Sequence, residues 1–383
     1  MRLTRLELRA FRNLGDVSLD FGPGLTVLFG HNGAGKTNIL ESLYFVSTLR
    51  SFRCSELGPL VMRDEAQASV SVVGRDLELD LDSNLYVQIT KGSRSTRRLA
   101  QADGKTVRSA ADFYGRLRTI VFTPEDLGVL RGSPGERRRF LDRAIFARER
   151  IHISDIQAYE KLVRSRNHVL RDEVTTRPAS RTQLLDTYEQ GLAEVGARIW
   201  TRRTEFIAAI TPGFKTTYAK ITGGKIPATV GYRSAFGDVP PDARQAALAK
   251  SLRDHRPEDF RRGRTTVGPH RDDLDVRLDG QPASNFASQG QSRALMLALK
   301  LAELQISESS TGEAPILLLD DVSSELDPQR SRQLFAALQG VVHQCIVTTT
   351  APDFIPLPAT WAARHYEVAD GAVRKVAIEL KPD

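Results

Sequence analysis

Residues Leu25 to Phe45 read LTVLFGHNGAGKTNILESLYF. The first five are apolar or β-branched and predict a buried strand. Gly30 to Thr37, GHNGAGKT, fit the pattern G-x-x-x-x-G-K-[ST] at every position. From Lys36 to about Leu49 the spacing predicts a helix. Strand, glycine loop and helix follow one another in the order a phosphate-binding loop requires. Gly30, Gly33 and Gly35 let backbone N–H groups turn inward around phosphate oxygens, with His31, Asn32 and Ala34 between them. The helix start adds the positive end of its dipole. Lys36 is then placed to reach the β and γ phosphates of a nucleoside triphosphate, and Thr37 to ligate magnesium.

Such a loop needs a carboxylate on a neighbouring strand. PILLLDDVSSELD, Pro315 to Asp327, supplies four buried-strand residues, Ile316 to Leu319, ending in Asp320. Asp320 is expected to hold magnesium and Asp321 to polarise an attacking water. A third stretch, NFASQGQSRALMLALKL from Asn285 to Leu301, enters a helix whose Leu295, Leu299 and Ala302 share a face. Its start carries Ser288, Gln289, Gly290 and Gln291 but no lysine. One reading is a simple helix N-cap. The other is an anion site that makes a second contact to a phosphate already held by Lys36 elsewhere.

The chain has 383 residues, is 40% hydrophobic and carries a net charge of +7. Its length suffices for two domains, and no apolar run is long enough for a membrane span. Cys54 and Cys345 stand far apart, outside any metal-ligand spacing, so a reducing cytosol is expected. The charge is concentrated: Lys91 to Arg150 hold 15 Lys or Arg against 7 Asp or Glu. Within it, GERRRFLDRAIFARER offers Arg137, Arg138 and Arg139 as candidate DNA contacts, with pairing to Glu136, Asp142 or Glu149 as the structural alternative. His270 stands beside Asp272 and Asp273 in GPHRDDL, which reads as a turn entering a strand rather than a metal site.

Strand candidates open the chain at Leu3 to Ala10 and Asp16 to Phe21. Two-residue alternation follows in ASVSVV, LELDL and LYVQIT between Ala68 and Thr90, then in RTIVF. From Pro124 to about Ile210 the period is helical, interrupted by a polar loop at Arg171 to Arg181. Strands and helices alternate again after Arg264, with PILLLDD and CIVTTT as buried strands and AVRKVAIEL as an edge strand. Apolar strands flanked by helices imply an α/β domain with a parallel sheet. The expected organisation is an ATPase domain split between residues 1–124 and 263–383, with a mainly helical domain inserted at 125–262.

The phosphate loop, the small-residue helix start, the hhhhDD strand end and SELD together resemble an ABC-type ATPase head, a phosphate-loop sheet with helices and an antiparallel β subdomain. The match to the RecF family of bacterial recombination-repair proteins is more specific. It rests on LRAFRNL, GHNGAGKTNILESLYF, VFTPEDLGVLRGSPGERRRFLDRAIF, YEKLVRSRNHVLRD, TTVGPHRDDL, SQGQSRALMLALKLAE and LLLDDVSSELD, in that order over nearly the whole chain. The resemblance implies ATP and magnesium as cofactors and a weak ATPase that works as a switch. It implies an ATP-induced homodimer that clamps DNA and, with RecR and RecO, loads RecA at gaps and supports SOS induction. It makes Lys36, Asp320 and Asp321 catalytic and puts Arg12 near the nucleotide. It assigns Ser288, Gln289, Gly290, Gln291, Ser324 and Asp327 to the partner's ATP. Asp321 in place of the usual glutamate, and Thr349 where a switch histidine would fall, imply slow hydrolysis. An SMC-like structural ATPase would need a far longer heptad insertion, a transporter ATPase would keep LSGGQ, and a small-molecule kinase would not carry a second nucleotide signature.

Overall fold

The computed structural model describes residues 1–76, 80–108, 113–149, 151–171, 178–311, 314–321, 328–338, 342–355 and 362–377. The strands are β1 Arg2–Arg9, β2 Val17–Asp20, β3 Gly24–Phe29, β4 Gln67–Asp76, β5 Leu81–Lys91, β6 Thr96–Ala102, β7 Lys105–Thr106 and β8 Thr119–Phe122. They continue as β9 Ala228–Arg233, β10 Asp273–Leu278, β11 Gln281–Pro282, β12 Ile316–Leu319, β13 Gln344–Thr349, β14 Ala363–Ala369 and β15 Ala372–Val376. The helices are α1 Lys36–Thr48, α2 Asp126–Arg131, α3 Pro134–Arg148, α4 Ile151–Arg171 and α5 Pro178–Thr222. After them come α6 Arg244–Asp254, α7 Arg256–Arg262, α8 Ala283–Phe286, α9 Gln289–Thr311 and α10 Pro328–Leu338.

The chain packs into two compact units: Met1–Asp126 with Lys220–Gly224 and Glu303–Asp383, and Leu127–Ala219 with Lys225–Ala302. The first unit holds two six-stranded sheets. One, β2-β1-β4-β5-β6-β7, is antiparallel throughout. The other runs β15-β14-β3-β13-β12-β8, parallel except for the edge pair β14–β15. β8, β12 and β13 are buried along their whole length, as expected of strands covered on both faces. Helix α1 touches both sheets, and Ile39, Leu40, Leu43 and Val46 join Leu6, Val70, Leu318 and Ile346 in one core. Each such side chain contributes roughly 1.5–3 kcal/mol by leaving water. That packing fixes where α1 begins, and so where the Gly30–Thr37 loop lies at the C-terminal edge of β3.

The second unit combines α3 to α7 with the antiparallel sheet β11-β10-β9. Two of its buried arginines are paired with carboxylates: Arg166 reaches Asp259 at 2.6 Å and Glu189 at 2.9 Å, and Arg203 bridges Asp142 at 2.8 Å. Helix α3 opens with a reciprocal cap. The Ser133 hydroxyl accepts from the Glu136 N–H, and the Glu136 carboxylate accepts from the Ser133 N–H at 2.6 Å. Ser133→Ala should therefore lower stability by about 1 kcal/mol, read as a lower urea midpoint in circular dichroism. An unchanged midpoint would remove the cap from the account.

Three local expectations change. Of LELDL, Leu77 to Leu79 lie outside the described residues, Asp80 occupies a turn with φ 53° and only Leu81 is strand. The β6 strand, TRRLAQA, escapes the alternation rule because its exposure does not alternate and it carries two adjacent arginines. Helix α5 continues past Ile210 and through Pro212 to Thr222. Proline inside a helix costs about 3 kcal/mol. The buried stripe Ile207, Ile210, Phe214, Tyr218 and Ile221 keeps its three- and four-residue spacing across the proline, and that burial outweighs the lost bond.

Candidate functional site

In the first unit the glycine loop joins β3 to α1. Gly30 adopts φ 149°, and a Cβ there would lie 2.2 Å from the Val368 carbonyl oxygen. Gly35 caps α1 at φ 116°, and a Cβ would meet Leu14 at 2.7 Å. No other residue type fits either position without moving backbone or core. His31, Asn32 and Gly33 are exposed at the tip, Ala34 is half-buried and Lys36 is buried at the base. The Lys36 ammonium donates to the carbonyls of Gly30 at 2.7 Å and His31 at 2.8 Å. Two of its three donors thus brace the loop, and one remains for a ligand. Burial lowers the Lys36 ammonium below its ordinary range, and the Asp321 and Asp320 charges oppose that.

Strand pairing delivers the carboxylates. β12 runs parallel to β8 and β13, and the Asp320 N–H donates to the Phe122 carbonyl at 2.9 Å. Asp320 therefore sits at the strand end beside the loop. Its Oδ1 accepts from the Thr37 hydroxyl at 2.9 Å and from the Thr348 hydroxyl at 2.7 Å. Burial raises its carboxyl above the ordinary value. The two hydroxyls pull it down, and the Glu125 and Asp321 charges push it up. Asp321 takes φ 47°, a conformation aspartate tolerates, and its N–H donates to the Thr348 hydroxyl at 2.8 Å.

Thr37 and Asp320, expected as magnesium ligands, are thus in contact across 283 positions of sequence. Among the described residues no three His, Cys, Asp or Glu converge as a metal cage. Magnesium does not need one: it is usually held by one or two carboxylates, retained waters and substrate phosphates. A buried carboxylate held by two hydroxyls, near an ammonium and short of a direct cation, fits that ion.

Arg12 takes φ 59° and turns its guanidinium to Glu41 on α1, with bonds of 2.9 and 2.6 Å. It also donates to the Pro59 carbonyl at 3.0 Å and to the Cys54 sulfur at 3.2 Å. Glu41 is wholly buried and accepts from the Ser51 hydroxyl as well. Arg12 therefore braces α1 four residues beyond Thr37. Sequence reasoning missed its neighbour Asn13, whose amide donates to the Gly33 carbonyl at 3.1 Å and accepts from Asn38 at 2.7 Å. It also missed Thr348, which strand register brings to Asp320, and Glu125, which lies just past β8 and whose charge acts on Asp320.

In the second unit, Ser288 caps α9. Its N–H donates to the Gln291 side chain at 2.8 Å, and its hydroxyl accepts from the Gln291 N–H at 3.2 Å. Ser288 and Gln289 are exposed, and Gly290 and Gln291 are half-exposed. The N-cap reading therefore holds, and it leaves the hydroxyl proton free to donate outward. The preceding Ala287 carbonyl is fixed by Arg131 at 2.8 Å. Ser324 and Asp327 lie outside the described residues. Of the three adjacent arginines, Arg137 is engaged by Asp273 at 2.7 Å and Arg138 by the Asp272 carbonyl at 2.7 Å, while Arg139 is exposed. His270 accepts or shares a proton with the Tyr159 hydroxyl at 3.0 Å, and burial pushes its imidazole down to about 4.

No helix among the described residues is long and apolar enough to cross a membrane. The model of the RecF/RecN/SMC N terminal domain matches residues 2–360. The DNA replication and repair protein RecF of Myxococcus xanthus is 40% identical over 91% of both chains. That of Anaeromyxobacter dehalogenans is 39% identical over 97% of this chain and 99% of its own. A solved structure of the recombination mediator protein RecF with ATP, in the RecFOR pathway, superposes with a TM-score of 0.85 at 29% identity, covering 98% of both chains. An Smc head bound to the C-terminal winged-helix domain of ScpA shares the fold alone, at a TM-score of 0.57 and 17% identity. The chain belongs to the RecF/RecN/SMC N-terminal domain family, and within it to the RecF proteins.

Proposed function

We propose that this chain is an ATP-switched DNA-binding protein of recombinational repair and replication restart. The single observation that carries the reading is Lys36, Thr37, Asp320 and Thr348 gathered at one sheet edge below the glycine loop. ATP would lie along Gly30, His31, Asn32, Gly33, Ala34 and Gly35, with Lys36 on its terminal phosphates. Thr37 and Asp320 would hold magnesium, which supplies charge neutralisation to the phosphates when bound. Asp321 would orient the attacking water. It is one methylene shorter than glutamate, and threonines occupy the place of a switch histidine, so turnover is slow and binding is the switch.

The exposed Ser288 hydroxyl, with Gln289, Gly290, Gln291, Ser324 and Asp327, would complete the ATP site of a second copy. In this reading an ATPase head formed by both chain ends carries an inserted domain, and the ATP-bound homodimer closes on DNA. RecR and RecO would act with it to load RecA at gaps, and SOS induction would follow. DNA contact is placed first on Arg139, since Arg137 and Arg138 are held inside the second unit. The basic segment around it favours phosphate contacts.

DNA affinity should rise with ATP and fall steeply with salt, because each phosphate contact releases a condensed counterion. Fluorescence anisotropy on gapped and duplex DNA, with and without ATP at several salt concentrations, measures both. Equal affinity with and without ATP would overturn the reading.

A further inference from the structure

Among the described residues of the second unit, three arginines are almost wholly buried, and they differ in what they touch. Arg166 and Arg203 each face carboxylates. Arg244, only 6% exposed, has none within ion-pair distance among the described residues. Its Nε donates to the Val239 carbonyl at 3.1 Å, its guanidinium lies 5.2 Å from the Trp200 ring centre, and its Nη1 is buried with no hydrogen-bond partner. A buried cation without a counter-charge is costly, so one that persists calls for an anion. Beside it opens a cleft of about 400 Å³, lined among others by Trp200, Arg233, Asp238, Arg244 and Asp275. That volume falls in the range of pockets that hold small ligands or single side chains.

The lining also says which anion. Arg233 offers a second guanidinium, two-thirds exposed and tied to Asp273 through Nη2 at 3.0 Å. Asp238 and Asp275 line the same space, and Asp275 already accepts from Arg277 at 2.8 Å. Two carboxylates repel a polyanion such as a nucleic-acid backbone. They favour a ligand that carries one carboxylate with an ammonium or N–H groups close by. A planar carboxylate matches the guanidinium fork, and the Trp200 face holds that fork in place.

We propose that this cleft is a carboxylate-binding site whose anchor is Arg244 and whose ligand is an acidic side chain of a peptide. The site is independent of the nucleotide reading, because none of its residues belongs to the Gly30–Thr37 loop or to the β12 end. Binding would place the carboxylate on the part of the Arg244 guanidinium that lines the cleft and the flanking donors against Asp238.

Trp200 is one of two tryptophans in the chain, so a Trp361→Phe background makes it the reporter. The probes are acetyl-Ala-Asp-Lys-amide for a peptide carboxylate, succinate for a free one and inorganic phosphate. The peptide should give a saturable fluorescence change at or below about 10 mM, stronger than succinate, with phosphate giving none. Arg244→Met should weaken it by about tenfold or more, the loss of a charge-assisted pair. Asp238→Asn, on the rim, should leave folding intact and shift the peptide affinity. Succinate binding more tightly than the peptide would reassign the ligand to a small metabolite and overturn the peptide assignment. Phosphate binding as tightly as carboxylate, no saturable change, or an affinity indifferent to both substitutions would overturn the site.

Discussion

Lys36→Ala should weaken the binding of magnesium–ATP by on the order of 100-fold. Lys36 is the buried cation of the loop, and Asp320 and Asp321 act on its charge. The Glu125 charge also raises the Asp320 carboxyl. Without the ammonium, a polyphosphate would approach carboxylates with only the loop N–H groups and the helix dipole to hold it. The Gly30 and His31 carbonyls lose their donor as well, but both lie on an open loop where water replaces it. The fold should therefore survive, with a thermal midpoint close to that of the wild type. A fluorescent ATP analogue titrated against both proteins measures the loss. ATP-driven dimerisation and the ATP-dependent part of DNA binding should vanish with it. Wild-type affinity in the variant would mean that the loop is not the nucleotide site.

Ser288→Arg should act on the other half of the same event. Ser288 is exposed and caps α9 through Gln291, so the substitution leaves the first unit untouched. The cap is worth about 1 kcal/mol, and the monomer should still fold. Nucleotide affinity of the monomer should match the wild type. Dimerisation on ATP should be abolished, because a bulky cation replaces a hydroxyl that must approach a phosphate closely. Light scattering with a slowly hydrolysed ATP analogue gives the result, and normal dimerisation would defeat the role assigned to this loop.

The parts of the site that sequence revealed are local. Eight consecutive residues encode the glycine loop, and φ values of 149° at Gly30 and 116° at Gly35 explain why glycine stands there. Asp320 was legible because four apolar residues must end at the sheet edge. What stayed hidden depends on register between distant strands. Thr348 reaches Asp320 only because β13 pairs with β12 in parallel, and nothing in CIVTTT marks which threonine faces the carboxylate. Asn13 comes to Gly33 through a turn at Phe11 and Leu14. Arg12 depends on the fold in the same way: the resemblance puts it near the nucleotide, and only the structure shows which groups hold its guanidinium, Glu41, Pro59 and Cys54. For Arg137 the sequence offered DNA or, as the alternative, a local acidic partner, whereas its partner Asp273 lies 136 positions away. The helix beyond Ile210 was not read from the sequence; the buried stripe from Ile207 to Ile221 carries it through Pro212 to Thr222.

The central claim is that Lys36 of one copy and Ser288 of another act on the same ATP. Mixing Lys36→Ala and Ser288→Arg subunits tests it most directly, followed by sedimentation with the slowly hydrolysed ATP analogue. Each variant alone should remain monomeric. A mixed dimer still contains one intact pair, Lys36 from the Ser288→Arg subunit and Ser288 from the Lys36→Ala subunit, so the mixture should yield dimers held by a single nucleotide. A mixture that stays monomeric while the wild type dimerises, or a Ser288→Arg protein that dimerises unaided, would contradict the account.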